Sequence, residues 1–161
     1  MFRKNAYALR QSLILAGAIA GSIAIASSAV AGECPADKMK PNVRAMVDFK
    51  PVGLTDVTLG SIDLGKQPAH IESRELRFRK LTIEPGGIVP WHSHDDRPAL
   101  IYIAEGEIIE FASNCAGPIL HKAGDLRAEH NGIAHWWKNL GDKPAVLLVG
   151  DVRHDPHDHN M

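Results

Sequence analysis

Apolar and polar positions alternate along much of this chain with a period close to two. Leu76-Arg77-Phe78-Arg79-Lys80-Leu81-Thr82-Ile83 keeps the pattern over most of its length, which predicts a half-buried strand. Upstream, Val57, Leu59, Ile62 and Leu64 give a weaker β-like stretch, interrupted by Gly60 and Gly65. Downstream, Ala99 to Ala104 is a short apolar run suited to a core strand. Ile108 to Phe111, Ala134 to Leu140 and Ala145 to Val152 predict further strands. Pro85-Gly86-Gly87 is expected to end the first strong strand, and Glu105-Gly106-Glu107 and Lys122-Ala123-Gly124-Asp125 to make turns. No stretch after residue 31 shows a long helical period. Many short strands with glycine-rich turns indicate an all-β sandwich or barrel.

The ends of the chain read differently. Arg3, Lys4 and Arg10 precede a nearly uncharged apolar run over residues 12–30, which closes on Ala29-Val30-Ala31. That order of basic, apolar and small residues predicts a signal peptide over residues 1–31, cut after Ala31. The expected location is therefore periplasmic or secreted, with no stable membrane anchor after cleavage. Residues 32–54, with Pro35 and Pro41, read as an N-terminal arm, residues 55–152 as the β-barrel, and residues 153–161 as a mobile tail rich in His and Asp. The chain beyond the leader is the size of one domain. The whole chain carries a net charge of −1, and the leader holds three basic and no acidic residues. The mature part is thus mildly acidic and has no basic stripe, which argues against a nucleic-acid partner. An oxidising compartment permits a disulfide between the two cysteines, Cys34 and Cys115. Two separate thiols are the alternative.

The candidate chemistry lies in His92-Ser93-His94 and in His135. Residues two apart on a strand face the same side, so His92 and His94 can grip one ion and His135 can join from a neighbouring strand. The stretches around them resemble the two motifs of the cupin superfamily. Gly86, His92, His94 and Gly106 match the first motif, and Gly124, Gly132, His135 and Asn139 match the second, with His130 where proline is usual. The resemblance covers residues 75–152 and implies a small single-domain jelly-roll barrel. It also implies a metal held by His92, His94 and His135. The glutamate ligand usual in the family falls on Ala99, which cannot bind a metal, although Asp95, Asp96 or Glu129 can offer a carboxylate from nearby.

Three neutral ligands leave a divalent ion's charge uncompensated by protein, so an anionic ligand and open coordination positions are expected. Iron is the first choice, with manganese, copper, zinc and nickel also compatible. The expected activity is that of a three-His non-haem dioxygenase acting on a small enolic, phenolic or carboxylate substrate. The alternatives are a non-catalytic binder of copper, zinc or nickel, and a metal-free small-molecule-binding cupin. Trp137 shares the parity of His135 and is a candidate aromatic wall, against a role in core packing. Arg97 is a candidate carboxylate holder, against an ion pair with an acidic neighbour. Trp136 and Tyr102 are expected to point outward. His70 and His121 stand alone, with no role. Small cupins commonly pair, so the resemblance implies a homodimer.

Overall fold

The computed structural model describes residues 32–47 and 49–154. The predicted leader and the tail beyond His154 lie outside the described residues. The arm carries one short 3-10 turn, Ala36–Lys38. Eight strands follow: β1 (Val52–Asp63), β2 (Glu75–Ser93), β3 (Ala99–Glu105), β4 (Glu107–Ala112), β5 (Ile119–Lys122), β6 (Leu126–Glu129), β7 (Ala134–Lys138) and β8 (Ala145–Arg153). They form one antiparallel sheet in the order β5-β4-β7-β2-β8-β3-β6, with β1 paired on β2. The sheet curls on itself, so its inward positions bury a single core of Leu81, Ile83, Ile103, Ile108, Leu147 and Trp137 among others. The all-β jelly-roll expectation holds.

β2 organises the molecule. Its first half runs between β1 and β8, and its second half pairs with β7. The expectation that Pro85-Gly86-Gly87 ends this strand is corrected: the three residues bend it, and pairing resumes at Ile88. Glycine is needed here for two reasons. Gly86 has φ +78°, and a Cβ at Gly87 would sit 2.7 Å from the Glu84 carbonyl oxygen. The bend carries the strand from the core region to the histidines in one continuous run, which fixes the height of His92 and His94 on the barrel wall.

The β-like stretch around Val57, Leu59 and Ile62 is strand β1, and almost all of its residues are exposed on both faces. The pairing with β2 holds it in place, and among the described residues no second layer covers it. The arm is tied to the barrel at several points. Cys34 and Cys115 form a disulfide, Arg44 donates to the carbonyls of Cys115 and Ala116 at 3.2 Å each, and Phe49 packs on Trp136.

Candidate metal centre

The three histidines sit side by side because the register puts them there. His92 on β2 is the cross-strand partner of His135 on β7, and His94 follows His92 by one inward step. All three are buried. Each ring is held through Nδ1. That of His92 donates to the Pro90 carbonyl at 2.9 Å and that of His94 to the Arg97 carbonyl at 2.7 Å. That of His135 donates to Glu110 Oε1 at 2.9 Å. An oxygen acceptor at every Nδ1 fixes the tautomer and puts a lone pair on each Nε2, that of His135 also meeting the indole N–H of Trp137 at 3.3 Å. Those lone pairs converge: Nε2 of His135 lies 3.0 Å from that of His92 and 3.1 Å from that of His94. Two nitrogens bound at right angles to one ion at about 2.1 Å each would stand about 3.0 Å apart. The donor set therefore fits a divalent transition metal.

Charge around the centre is arranged to the same end. Burial, and then the neighbouring charge of His135, holds His94 down at about 3 and His92 well below its ordinary value. Burial would also lower His135, but the Glu129 and Glu110 carboxylates overcome it and raise that ring to about 9. Glu110 would be raised by burial, yet hydrogen bonds from His121 and His135 keep it well below the usual carboxylate range. The carboxylates behind His135 thus favour positive charge at that ring, whether it comes from a proton or from a cation held at Nε2.

This corrects the expectation that the protein leaves the ion's charge uncompensated. Glu110 on β4 and Glu129 on β6 are both fully buried behind His135, with Glu129 Oε1 at 3.3 Å from its Nδ1. Glu129 is the cross-strand partner of Ala99, so an acidic side chain lies one strand away from the position where the family usually has one. Arg127 contacts both carboxylates, at 2.7 Å from Glu129 and 3.3 Å from Glu110. His121 does not stand alone: it is fully buried and donates from Nε2 to Glu110 Oε2 at 2.8 Å. Glu110 and His121 carried a sequence signal. Each occupies an inward position of its strand, beside Ile108 and Ile119 respectively, and a charged or titratable residue at an inward position demands a partner.

The other candidates fall into place around this core. Trp137 points inward as its parity predicts and packs in the hydrophobic core, its indole N–H 3.3 Å from His135 Nε2. Arg97 is buried with its guanidinium 3.8 Å from Asp151, an ion pair with a more distant partner than Asp95 or Asp96. Arg97 nevertheless lines a cleft of about 400 Å³, together with Trp91, His92, Asp95, Asp96 and His154. On the inner side, a cavity of about 10 Å³ lies between Arg79, His92, His94 and Trp137, room for about one water. Of these two spaces only the cleft, which borders His92, has room for an organic molecule. Trp136 packs outward against Phe111 and Phe49, and Tyr102 is exposed.

Known proteins are similar in sequence and in fold. A cupin domain family model matches residues 79–150. Auxin-binding protein ABP19b of Prunus persica is 34% identical over 76 residues, covering 45% of this chain and 36% of its own. Germin-like protein subfamily 2 member 1 of Arabidopsis thaliana is 28% identical over 103 residues, covering 60% of this chain and 47% of its own. The chain thus spans less than half the length of these two relatives. Among solved structures, a predicted oxalate decarboxylase from Thermotoga maritima superposes with a TM-score of 0.50 at 18% identity, over 74% of this chain and 97% of its own. Recombinant oxalate oxidase in complex with glycolate gives 0.51 at 20% identity, over 70% and 57%. At such identities the likeness is one of fold. Residues 79–150 are a cupin domain, and the fold of the chain is that of the cupin superfamily.

Proposed function

We propose that this chain is an exported, metal-dependent small cupin with oxygenase-type chemistry on a small anionic substrate. His92, His94 and His135 hold the ion, with iron as first choice and manganese next. The observation that carries this reading is the convergence of three Nε2 lone pairs at 3.0 and 3.1 Å, each ring pinned at Nδ1. When bound, the ion supplies Lewis-acid polarisation and an electron path. The protein supplies the rest. Glu110 and Glu129 balance charge behind His135. Arg97 and Trp91 give the cleft beside His92 one cationic and one aromatic wall, suited to an enolate, phenolate or carboxylate. Two of the fold's neighbours are named for oxalate, a small carboxylate. The disulfide fits an oxidising compartment. The test is elemental analysis of the untagged protein from residue 32, with and without His92→Ala, followed by oxygen uptake on diketones, phenols and small carboxylates. One equivalent of iron or manganese, lost in the variant, with oxygen uptake on any of these, supports the reading. No uptake by the iron-loaded protein sinks it.

A second reading, non-catalytic handling of copper, zinc or nickel, draws on the cleft mouth. There His154 Nδ1 lies 3.5 Å from Asp96, above His92. Copper or zinc held tightly by the three histidines, without oxygen uptake on any substrate, would select it.

We also propose that a second copy of the chain covers the outer face of β1, β2, β8, β3 and β6. That face carries Ile62, Leu76, Phe78, Leu100, Tyr102 and Leu126, all exposed, and the register sets them in adjacent rows. Five strands at about 4.8 Å spacing give a face whose area is on the order of the ~800 Å² per partner that a stable interface uses.

A further inference from the structure

The buried network behind His135 ends at an acceptor that lacks a donor. His121 donates from Nε2 to the Glu110 carboxylate, so in the neutral ring Nδ1 carries a lone pair and accepts. That nitrogen is buried and, among the described residues, has no hydrogen-bond partner. Buried polar atoms of this kind call for an explanation.

The residue facing it is Gly32. A Cβ on Gly32 would lie 3.2 Å from His121 Nδ1 and 3.4 Å and 3.5 Å from Cβ and Cγ of Asp125. Gly32 is itself buried and has φ +84°, a backbone that favours glycine, and a side chain there would crowd His121. Its nitrogen donates to the Leu120 carbonyl at 3.2 Å. Leu120, His121 and Asp125 thus form a socket around one glycine. A peptide nitrogen has a single hydrogen, and Leu120 already takes it. An α-ammonium has three.

Gly32 is the residue that becomes the N-terminus if the leader is cut after Ala31. We propose that hydrolysis of the Ala31–Gly32 bond creates a docked terminus, whose α-ammonium keeps the Leu120 bond and donates a second to His121 Nδ1, beside the Asp125 carboxylate. The cut is made by a leader-removing protease. It consumes one water and leaves a carboxylate on Ala31 and the ammonium on Gly32. This rests on the export reading. The contact Gly32–His121–Glu110–His135 then runs unbroken from the processed end to the metal centre.

The test compares three metal-free chains of defined terminus: one starting at Gly32, one starting at Ala31, and the Gly32 chain acetylated on its α-nitrogen. The Gly32 chain is expected to melt about 4 °C or more above both others, as befits one buried charge-assisted hydrogen bond in a domain of this size. The ¹⁵N resonance of His121 Nδ1 should shift to that of a hydrogen-bonded acceptor in this chain alone. Equal melting temperatures and equal His121 resonances in all three would overturn the docking. Mass spectrometry of the exported protein separates the two ways to fail: a mature chain that starts elsewhere overturns the cleavage site, whereas a Gly32 start with identical melting overturns the socket.

Discussion

Glu110 accepts a hydrogen bond from Nδ1 of His135 at 2.9 Å, and both side chains are fully buried. A carboxylate behind a ligating imidazole fixes the ring and raises its basicity. Glu110→Gln keeps the shape and removes the charge. It should weaken divalent metal binding about 10- to 100-fold, measured by competition with a chelator of known affinity. Unchanged affinity would mean that His135 does not depend on Glu110 for its orientation or its charge.

Ala99 and Glu129 face each other across β3 and β6, both buried. Ala99→Glu would return the family's carboxylate to its usual place, opposite one that is already there. Like charges directly opposite on a sheet destabilise, so the metal-free variant should melt below the parent. A bound cation screens that repulsion, so the rise in melting temperature on adding metal should be larger in the variant than in the parent. Calorimetry with and without metal checks both signs. An equal rise in the two proteins would place position 99 out of reach of the ion.

Six of the eight strands and the three histidines were legible in the sequence because each follows a local rule, the barrel followed from the family resemblance, and the four-residue strands β5 and β6 were too short to show a period. Period-two alternation marks Leu76 to Ile83, and a two-residue step puts His92 and His94 on one face. The hidden part depends on which strands become neighbours. Glu110, His121 and Glu129 lie on the consecutive strands β4, β5 and β6, but β6 stands at the opposite end of the sheet order from β5 and β4. Only the curling of the sheet brings Glu129 beside Glu110 and His135. The Pro85-Gly86-Gly87 signal was also ambiguous by nature. The same residues that close a turn can bend a strand when β1 and β7 pair on either side of the bend.

Asp151 sets a pH dependence away from the metal ligands. Burial would raise its carboxyl, but the hydrogen bond from Arg77 and the charges of Arg79, Arg77 and Arg97 hold it below its ordinary value. A carboxyl depressed in the folded state contributes stability that is complete above its unfolded value, near 3.9. That contribution is lost as pH falls through the folded value. Asp151→Asn should cost on the order of 3 kcal/mol at pH 7, since it leaves Arg77 buried without its bidentate partner. The gap between parent and variant should narrow as pH falls below about 4 and close below the folded value of Asp151. Urea unfolding at pH 7 and pH 3 measures it, and a gap independent of pH would show that Asp151 does not titrate in this way.

The Cys34–Cys115 bridge closes a loop with a sequence separation of 81, long enough for a large effect on the unfolded chain. Replacing both cysteines by alanine should lower stability by about 2–4 kcal/mol. The loss should be felt first in the arm, where Arg44 and Phe49 make contact with the barrel. Hydrogen exchange resolves the two parts. Arm amides that stay as protected in the variant as in the parent would show that Arg44 and Phe49 hold the arm without the bridge.

Phe78 gives the most direct probe of the outer face. It is 46% exposed on β2, with Gly60 on one side and Gly150 on the other. A Cβ at Gly150 would only just touch the Phe78 ring, at 3.8 Å. The two glycines leave hollows beside an aromatic knob, so a second copy related by a two-fold axis can place its own Phe78 in one of them. Phe78→Glu puts a charge at the centre of that contact without touching the core, which lies on the other side of the sheet. The parent should sediment as a dimer at micromolar concentration and the variant as a monomer with an unchanged circular dichroism spectrum. The three histidines face inward, so metal content should be the same in both. A parent that sediments as a monomer over the whole accessible concentration range would remove the second copy as the cover for this face.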